Sequence, residues 1–466
     1  MWPKRLIMSV KMVKKSEPIV TYPMVTIYSR FLRVLISSFV LANVSDVSAQ
    51  QLRLTLDECT TRAIEVSEQL KRSDQDIAAA EARYQQAVAE IYPNVFATAG
   101  QRFRNSEQFG RVQGGGFSSI LDPGTGENDD RGGRSLGKNQ FDVMLTVRQP
   151  IFTGFRNIIL SRVTVAERDA EVFIRDRRRE ELRYDVAEVF YQVLLYRSDL
   201  EVLGRTEKVL VERTDELKQF LELGKARESE LLAAQSELSD LFVSRATTER
   251  LRGASKELLA FLIHAPSSSF ELVMDQNTPP LPPLDRYLER AAKRADIEAA
   301  KLQVEASEQL VLATEREHWP EVALEGNVFP YEDPDRDRKW ELFFTLDWSV
   351  FDSGRIDARV QEREAEMESA RLVATEQRRI ADREVRVAWS DYQTTSREVD
   401  RLRELLDAAQ KNYRSQKLDY ANGVVTNLEV LAAIRQMQEA ERRLQAAEIT
   451  LRLNQRKLDA AAGGVS

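Results

Sequence analysis

The chain has 466 residues, 42% hydrophobic and 30% charged, with 19 glycines, 14 prolines and a formal net charge of −8. Two histidines and one cysteine, Cys59, exclude a disulfide framework within one chain, a His/Cys metal cluster and a His-based catalytic triad, so neither enzyme activity nor a cofactor is expected. The acidic balance argues against nucleic acid as a partner, and high charge with scarce glycine and proline favours long helices.

At the start, a basic segment ending at Arg30 and Arg33 runs into the apolar stretch VLISSFVLA (Val34 to Ala42), followed by Val47, Ser48 and Ala49. This pattern reads as a Sec signal peptide over residues 1–49, with an A-x-A-like cleavage site. Counted from Met24 it has 26 residues, the usual size, which makes Met24 the alternative start. The apolar run is about half of the ~20 residues a membrane-spanning helix needs. Its removal takes seven basic and two acidic residues from totals of 67 and 75, leaving 60 against 73, net −13.

The remainder is two copies of one design. Phe152 in RQPIFTGFR and Phe351 in DWSVFDSGR are 199 residues apart, as are Arg156 and Arg355, Gly224 and Gly423, and Glu230 and Glu429. IYPNV (Ile91 to Val95) answers HWPEV (His318 to Val322) at a spacing of 227, so the first copy carries a 28-residue insertion, placed in the glycine-rich loop 109–137. The first repeat spans 50–263: a helix over about 56–91, strands at about 94–104 and 140–152, a long helix at about 154–221, a turn at about 222–227 and a helix to 262. A Pro/Ser-rich connector covers 264–283. The second repeat, 284–462, has a helix to 318, strands at about 321–329 and 339–351, a long helix at about 354–421, a turn at about 422–426 and a helix to 461, before a tail at 463–466.

In the first long helix a strict 3-4 alternation runs Val186, Val189, Val193, Tyr196, Leu200, Leu203, Glu207, Leu210, Thr214, Leu217, Leu221. Adding 199 gives Val385, Ala388, Tyr392, Thr395, Val399, Leu402, Leu406, Ala409, Tyr413, Gln416, Tyr420, in the same frame. A period of 3.5 marks a left-handed coiled-coil seam. Each long helix, roughly 100 Å at 1.5 Å per residue, matches two shorter ones placed end to end.

The strands alternate. In KWELFFTLDWSVF, Trp340, Leu342, Phe344, Leu346, Trp348 and Val350 oppose Lys339, Glu341, Phe343, Thr345, Asp347 and Ser349. Such a pattern serves a half-buried soluble sheet or, behind a signal peptide, lipid-facing barrel strands. Single-chain barrels start at about eight strands and a lipid-exposed sheet edge is not viable, so four transmembrane strands require a barrel shared between chains.

The duplicated helix–hairpin–helix copies, the strand ends QPIFTGFR and WSVFDSGR and the paired glycine turns together resemble the TolC-like outer membrane efflux factors, from LTLDEC (Leu54 to Cys59) to Leu458. The resemblance implies an α+β membrane protein: a homotrimer sharing a transmembrane β-barrel, four strands per protomer, continued by a long α-helical coiled-coil barrel in the periplasm. It further implies a passive exit duct working with a periplasmic adaptor and an inner-membrane transporter, for efflux or, alternatively, type I protein secretion. A periplasmic coiled-coil scaffold also fits the heptads and signal, though not the hairpins. The turns then lie at the periplasmic tip, where Glu230, Glu429 and Tyr420 match gate positions, and Phe152, Arg156, Phe351 and Arg355 mark strand-to-helix junctions. Glu230 and Glu429 equally suit a solvated helix start. Two departures are Val425, where the archetype has a locking arginine, and Ala432, where it has a second gate aspartate.

Overall fold

The computed structural model describes residues 52–103, 139–274, 281–330 and 339–464. The expected signal peptide (1–49), the loop 109–137 and the connector residues 275–280 lie outside the described residues. In chain order the elements are β1 (Leu52–Leu54), α1 (Leu56–Val66), α2 (Glu68–Ala89), β2 (Asn94–Phe103), β3 (Asn139–Phe152), α3 (Arg156–Glu222) and α4 (Glu228–Leu262). After β4 (Phe270–Leu272) the second copy follows: α5 (Leu284–Ala291), α6 (Ala295–Glu315), β5 (Glu321–Val328), β6 (Trp340–Asp347), α7 (Arg355–Ala421) and α8 (Asn427–Ala461).

Both ends of α3 and of α4 recur 199 residues later in α7 and α8, giving paired lengths of 67 and 35 residues. All the heptad positions named above are buried or half-buried, so the 3.5 period is the packing seam. α3 packs against α1, α2 and α4 of its own repeat and against α6 and α8 of the other, whereas α7 packs chiefly against α5, α6 and α8 of its own. Accordingly α3 buries 19 residues and α7, of equal length, only 8, which leaves α7 with an uncovered face.

Three expectations need correction. The helix over 56–91 is broken at Ser67, whose hydroxyl accepts from the Leu70 amide and caps α2. Its counterpart is broken at Ala292–Arg294, where Arg294 has extended backbone angles and its buried guanidinium donates to Asp296, Glu384 and the Ala461 carbonyl. Within the connector, β4 pairs with β1, through Val273 N–H to Leu54 C=O at 2.9 Å, over a core containing Phe190, Leu259 and Cys59. Burial pushes the Cys59 thiol up to about 12, so it is an inert packing group.

The four longer strands form one antiparallel sheet in the order β2-β3-β5-β6, with β2 and β6 as its edges. On one face Thr146, Asn327 and Glu341 lie side by side, Thr146 donating to Asn327 at 2.7 Å and Asn327 to Glu341 at 2.9 Å, with Arg148 paired to Glu325 at 3.4 Å. On the other, Trp340, Leu342, Phe344 and Leu346 are 69%, 58%, 72% and 65% exposed. β6 ends at Asp347, not at about 351: its partner β5 begins at Glu321 directly after Pro320, so no ladder remains beyond the Asp347–Glu321 pair. β3 continues to Phe152 by means of a register shift between Pro150 and Phe152.

Candidate functional site at the helix turns

The two helix turns share one backbone device. Gly224 has φ +66° and Gly423 φ +74°, a left-handed conformation that costs glycine nothing. In the first turn the Gly224 and Lys225 amides donate to the Leu221 and Phe220 carbonyls; in the second, Gly423 and Val424 donate to Tyr420 and Asp419. This double bond pattern closes each long helix as a Schellman motif and turns the chain back on itself.

The side chains then diverge. Glu230 and Glu429 both occupy the third position of the returning helix. Before α8 the N-cap is Thr426, and Glu429 reaches back to it, accepting from the Thr426 amide at 2.9 Å and from its hydroxyl. Those hydrogen bonds hold the Glu429 carboxyl below its ordinary range. Before α4 the N-cap is Arg227, which makes no side-chain cap bond, and the Glu230 carboxylate crosses to the other repeat, accepting from the Tyr420 hydroxyl at 3.2 Å. Burial and then the Glu230 charge push the Tyr420 phenol up, which keeps it a donor at neutral pH.

Around this contact stand residues that the sequence alone did not single out. The Arg213 guanidinium carbon lies 3.9 Å from the centre of the Tyr420 ring, and Phe220 stacks on that ring at 6.4 Å. Arg213 Nε donates to Asn427 Oδ1 at 2.9 Å and Nη1 to Glu216 at 3.0 Å, while Asn427 Nδ2 donates to the Glu230 main-chain oxygen at 3.1 Å. The only sequence signal for Arg213 is a charge beside Thr214 in the seam. Val425 is half-buried and Ala432 exposed, and neither has a polar side chain to contribute.

The strand-to-helix junctions lie at the opposite ends of the long helices. Phe152 packs edge-on against Phe155 at 5.6 Å and against Trp319 at 6.1 Å, and Arg156 pairs with Glu321 at 3.3 Å. At the second junction Phe351 is 87% exposed, and Asp352 accepts from the Gly354 and Ile356 amides at 3.0 and 2.9 Å, with Arg355 beginning α7. The structure therefore brings Glu230, Tyr420 and both turns together, gives Glu429 to its own helix, and places the four junction residues far along the chain from them.

A family model described as "Outer membrane efflux protein" matches residues 60–257 and 288–464, which are the two repeats. No curated protein matches the chain. Among solved structures, the outer membrane protein VceC of Vibrio cholerae is 15% identical, with a TM-score of 0.75 over 88% of this chain and 96% of its own. The open-state MtrE outer membrane channel of Neisseria gonorrhoeae is 19% identical, with a TM-score of 0.70 over 91% and 93%. The Campylobacter jejuni CmeC outer membrane channel is 15% identical, with a TM-score of 0.74 over 88% and 85%. These likenesses give the fold, a helical assembly joined to a small β-sheet region. With both repeats matched, the chain belongs to the outer membrane efflux protein family, whose members are outer membrane ducts that extend into the periplasm.

Proposed function

We propose that three copies of this chain close a shared β-barrel and a helical tube, forming the passive exit duct of a tripartite efflux system. An inner-membrane transporter would deliver the cargo through a periplasmic adaptor docked near the helix turns. The observation that carries this reading is the four-stranded sheet: one face apolar and exposed, the other a polar network, and two edges without a strand partner among the described residues. In a bilayer such edges are tolerable only if neighbouring copies pair with them. The uncovered face of α7 and its few buried residues suit the same closure, since α3 also packs against α6 and α8 of the other repeat and α7 has no comparable packing against the first repeat among the described residues. A periplasmic scaffold leaves the exposed Trp340, Leu342, Phe344 and Leu346 unexplained. In the proposed duct Glu230 and Tyr420 link the two turns at the tip, and Glu429 stiffens the start of α8.

The test is reconstitution. Detergent-extracted protein is expected to resist carbonate release from membranes, to run as a trimer after cross-linking and to produce discrete conductance steps in planar bilayers. A monomer released by carbonate that conducts nothing would sink the duct reading.

A further inference from the structure

We infer that β6 of one copy of this chain pairs antiparallel with β2 of the next in one defined register, Leu346 opposite the partner's Ala99, and that the partner's Tyr92 closes over Phe351. The inference rests on the exit-duct reading above, in which copies share the sheet, and adds which residues meet.

The register comes from the duplication. Both hairpins pair alike: Val95 lies opposite Val147 and Ala97 opposite Leu145 in the first, Val322 opposite Leu346 and Leu324 opposite Phe344 in the second. β2 thus maps onto β5 at a spacing of 227 and β3 onto β6 at 199, without slip. The chain also contains one seam between its repeats, β3 against β5, with Val147 opposite Gly326 and Gln149 opposite Leu324. The strands that correspond to this seam are β6 and β2, the two edges of the sheet. A slip of one residue would turn every side chain of an edge strand to the wrong face, so the apolar alternation of β6 holds the register in phase. Carrying the β3–β5 seam over by the two spacings sets Leu346 opposite the partner's Ala99 and Trp348 opposite the partner's Ala97.

Three observations favour this seam. Within the chain β6 stops at Asp347 while β3 runs on to Phe152, and what carries β3 on is its pairing with β5 as far as Val322. The partner's β2 offers the same support to Trp348 through Phe351, ending at the partner's Val95. Next, Asp347 lies directly opposite Glu321, whose own ion pair is with Arg156 at 3.3 Å. Like charges directly opposite destabilise a sheet. The seam sets the partner's Thr98, a hydroxyl donor, on the open side of Asp347, in the place that Glu325 takes beside Arg148. Finally, Trp319 packs on Phe152 with ring centres 6.1 Å apart. Their repeat counterparts are Tyr92, 62% exposed, and Phe351, 87% exposed, and the same operation brings one to the other across the seam. The fit differs in one respect. Ser353 has a side chain where Gly154 has none, and Gly354 has none where Phe155 has a ring, so the partner's Tyr92 shifts towards the open space at Gly354.

The test is a cysteine pair, which Cys59, buried in the core, does not disturb. Residues directly opposite across antiparallel strands have Cβ atoms about 4.5–5.5 Å apart and diagonal neighbours about 7–8 Å, so only the former close readily to a disulfide. The full chain carrying Ala99→Cys and Leu346→Cys, oxidised in the membrane with copper phenanthroline, is expected to run as covalent dimer and trimer on a non-reducing gel. Ala99→Cys with Phe344→Cys, a diagonal pair, is expected to stay monomeric. β3 and β5 separate these positions within one chain, so any bond formed joins two chains. Bonding of the diagonal pair as fully as the direct pair, or no bond in the direct pair of a protein that an amine-reactive cross-linker captures as a trimer, overturns the register. If the double variant fails to reach the membrane, chains with Ala99→Cys alone and Leu346→Cys alone are co-expressed, and a covalent heterodimer supports the register while its absence overturns it. Tyr92→Ala and Phe351→Ala are each expected to lower the temperature at which the trimer dissociates, and together to lower it by less than the sum; additive shifts overturn the aromatic contact. A parent that the amine-reactive cross-linker leaves monomeric overturns the duct reading instead.

Discussion

Asp459, on α8, shows how a single buried charge sets a pH dependence. Its side chain is 15% exposed, and burial raises its carboxyl above the ordinary range, more than Arg290 at 3.9 Å and Arg456 lower it. A raised folded value means a contribution fully present below the unfolded value near 3.8 and lost as pH rises through the folded one. Asp459→Asn should therefore raise the melting temperature at pH 7 and leave it unchanged near the acid limit; a lower melting temperature at pH 7 would mean the Arg290 pair outweighs burial. Glu230 and Glu429 carry the converse lesson. They are equivalent in sequence spacing, and what separates them is the preceding residue: Thr426 draws its glutamate into a cap, while Arg227 leaves Glu230 free to cross. That distinction was legible in principle from the capping-box pattern TxxE, but the destination of Glu230 was not.

Among elements, the two junctions that begin the long helices test how far the repeats are alike. Gly154 has φ +60° and an added Cβ would lie 2.9 Å from the Trp319 Cβ and 3.1 Å from the Arg316 carbonyl oxygen, whereas Gly354, at φ +80°, has open space around it. Gly354→Ala should cost only the left-handed backbone penalty, ~1–2 kcal/mol, while Gly154→Ala adds overpacking of ~1–3 kcal/mol. Denaturant unfolding followed by helical circular dichroism would show it; equal costs would mean the Trp319 contact relaxes freely. The long helices and their turns were readable to within two residues because their period is sustained and glycine marks each end. β4 and the early end of β6 were not readable, because each depends on a partner distant in the chain, whereas the Ser67 break is a local cap on the Leu70 amide set between two stretches of helical sequence.

For the whole molecule the decisive question is what covers the sheet. Phe344→Arg places a charge on the exposed apolar face of edge strand β6, where lipid contact costs ~2–4 kcal/mol. It should lower the carbonate-resistant, trimeric fraction, and Thr345→Arg on the opposite face should not. Equal behaviour of the two would mean that face does not meet lipid.

The duplication, the heptad seam, the equal lengths of α3 and α7 and the depth-matched glycine turns follow from the sequence by itself, because each is a periodicity or a local backbone requirement that needs no distant partner. The tertiary structure alone decided that α3 is enclosed and α7 left open, that β4 covers β1, and that Arg213, Asn427, Glu230 and Tyr420 meet. Arg213 and Asn427 are 214 residues apart, and only the folding of one repeat against the other makes them neighbours.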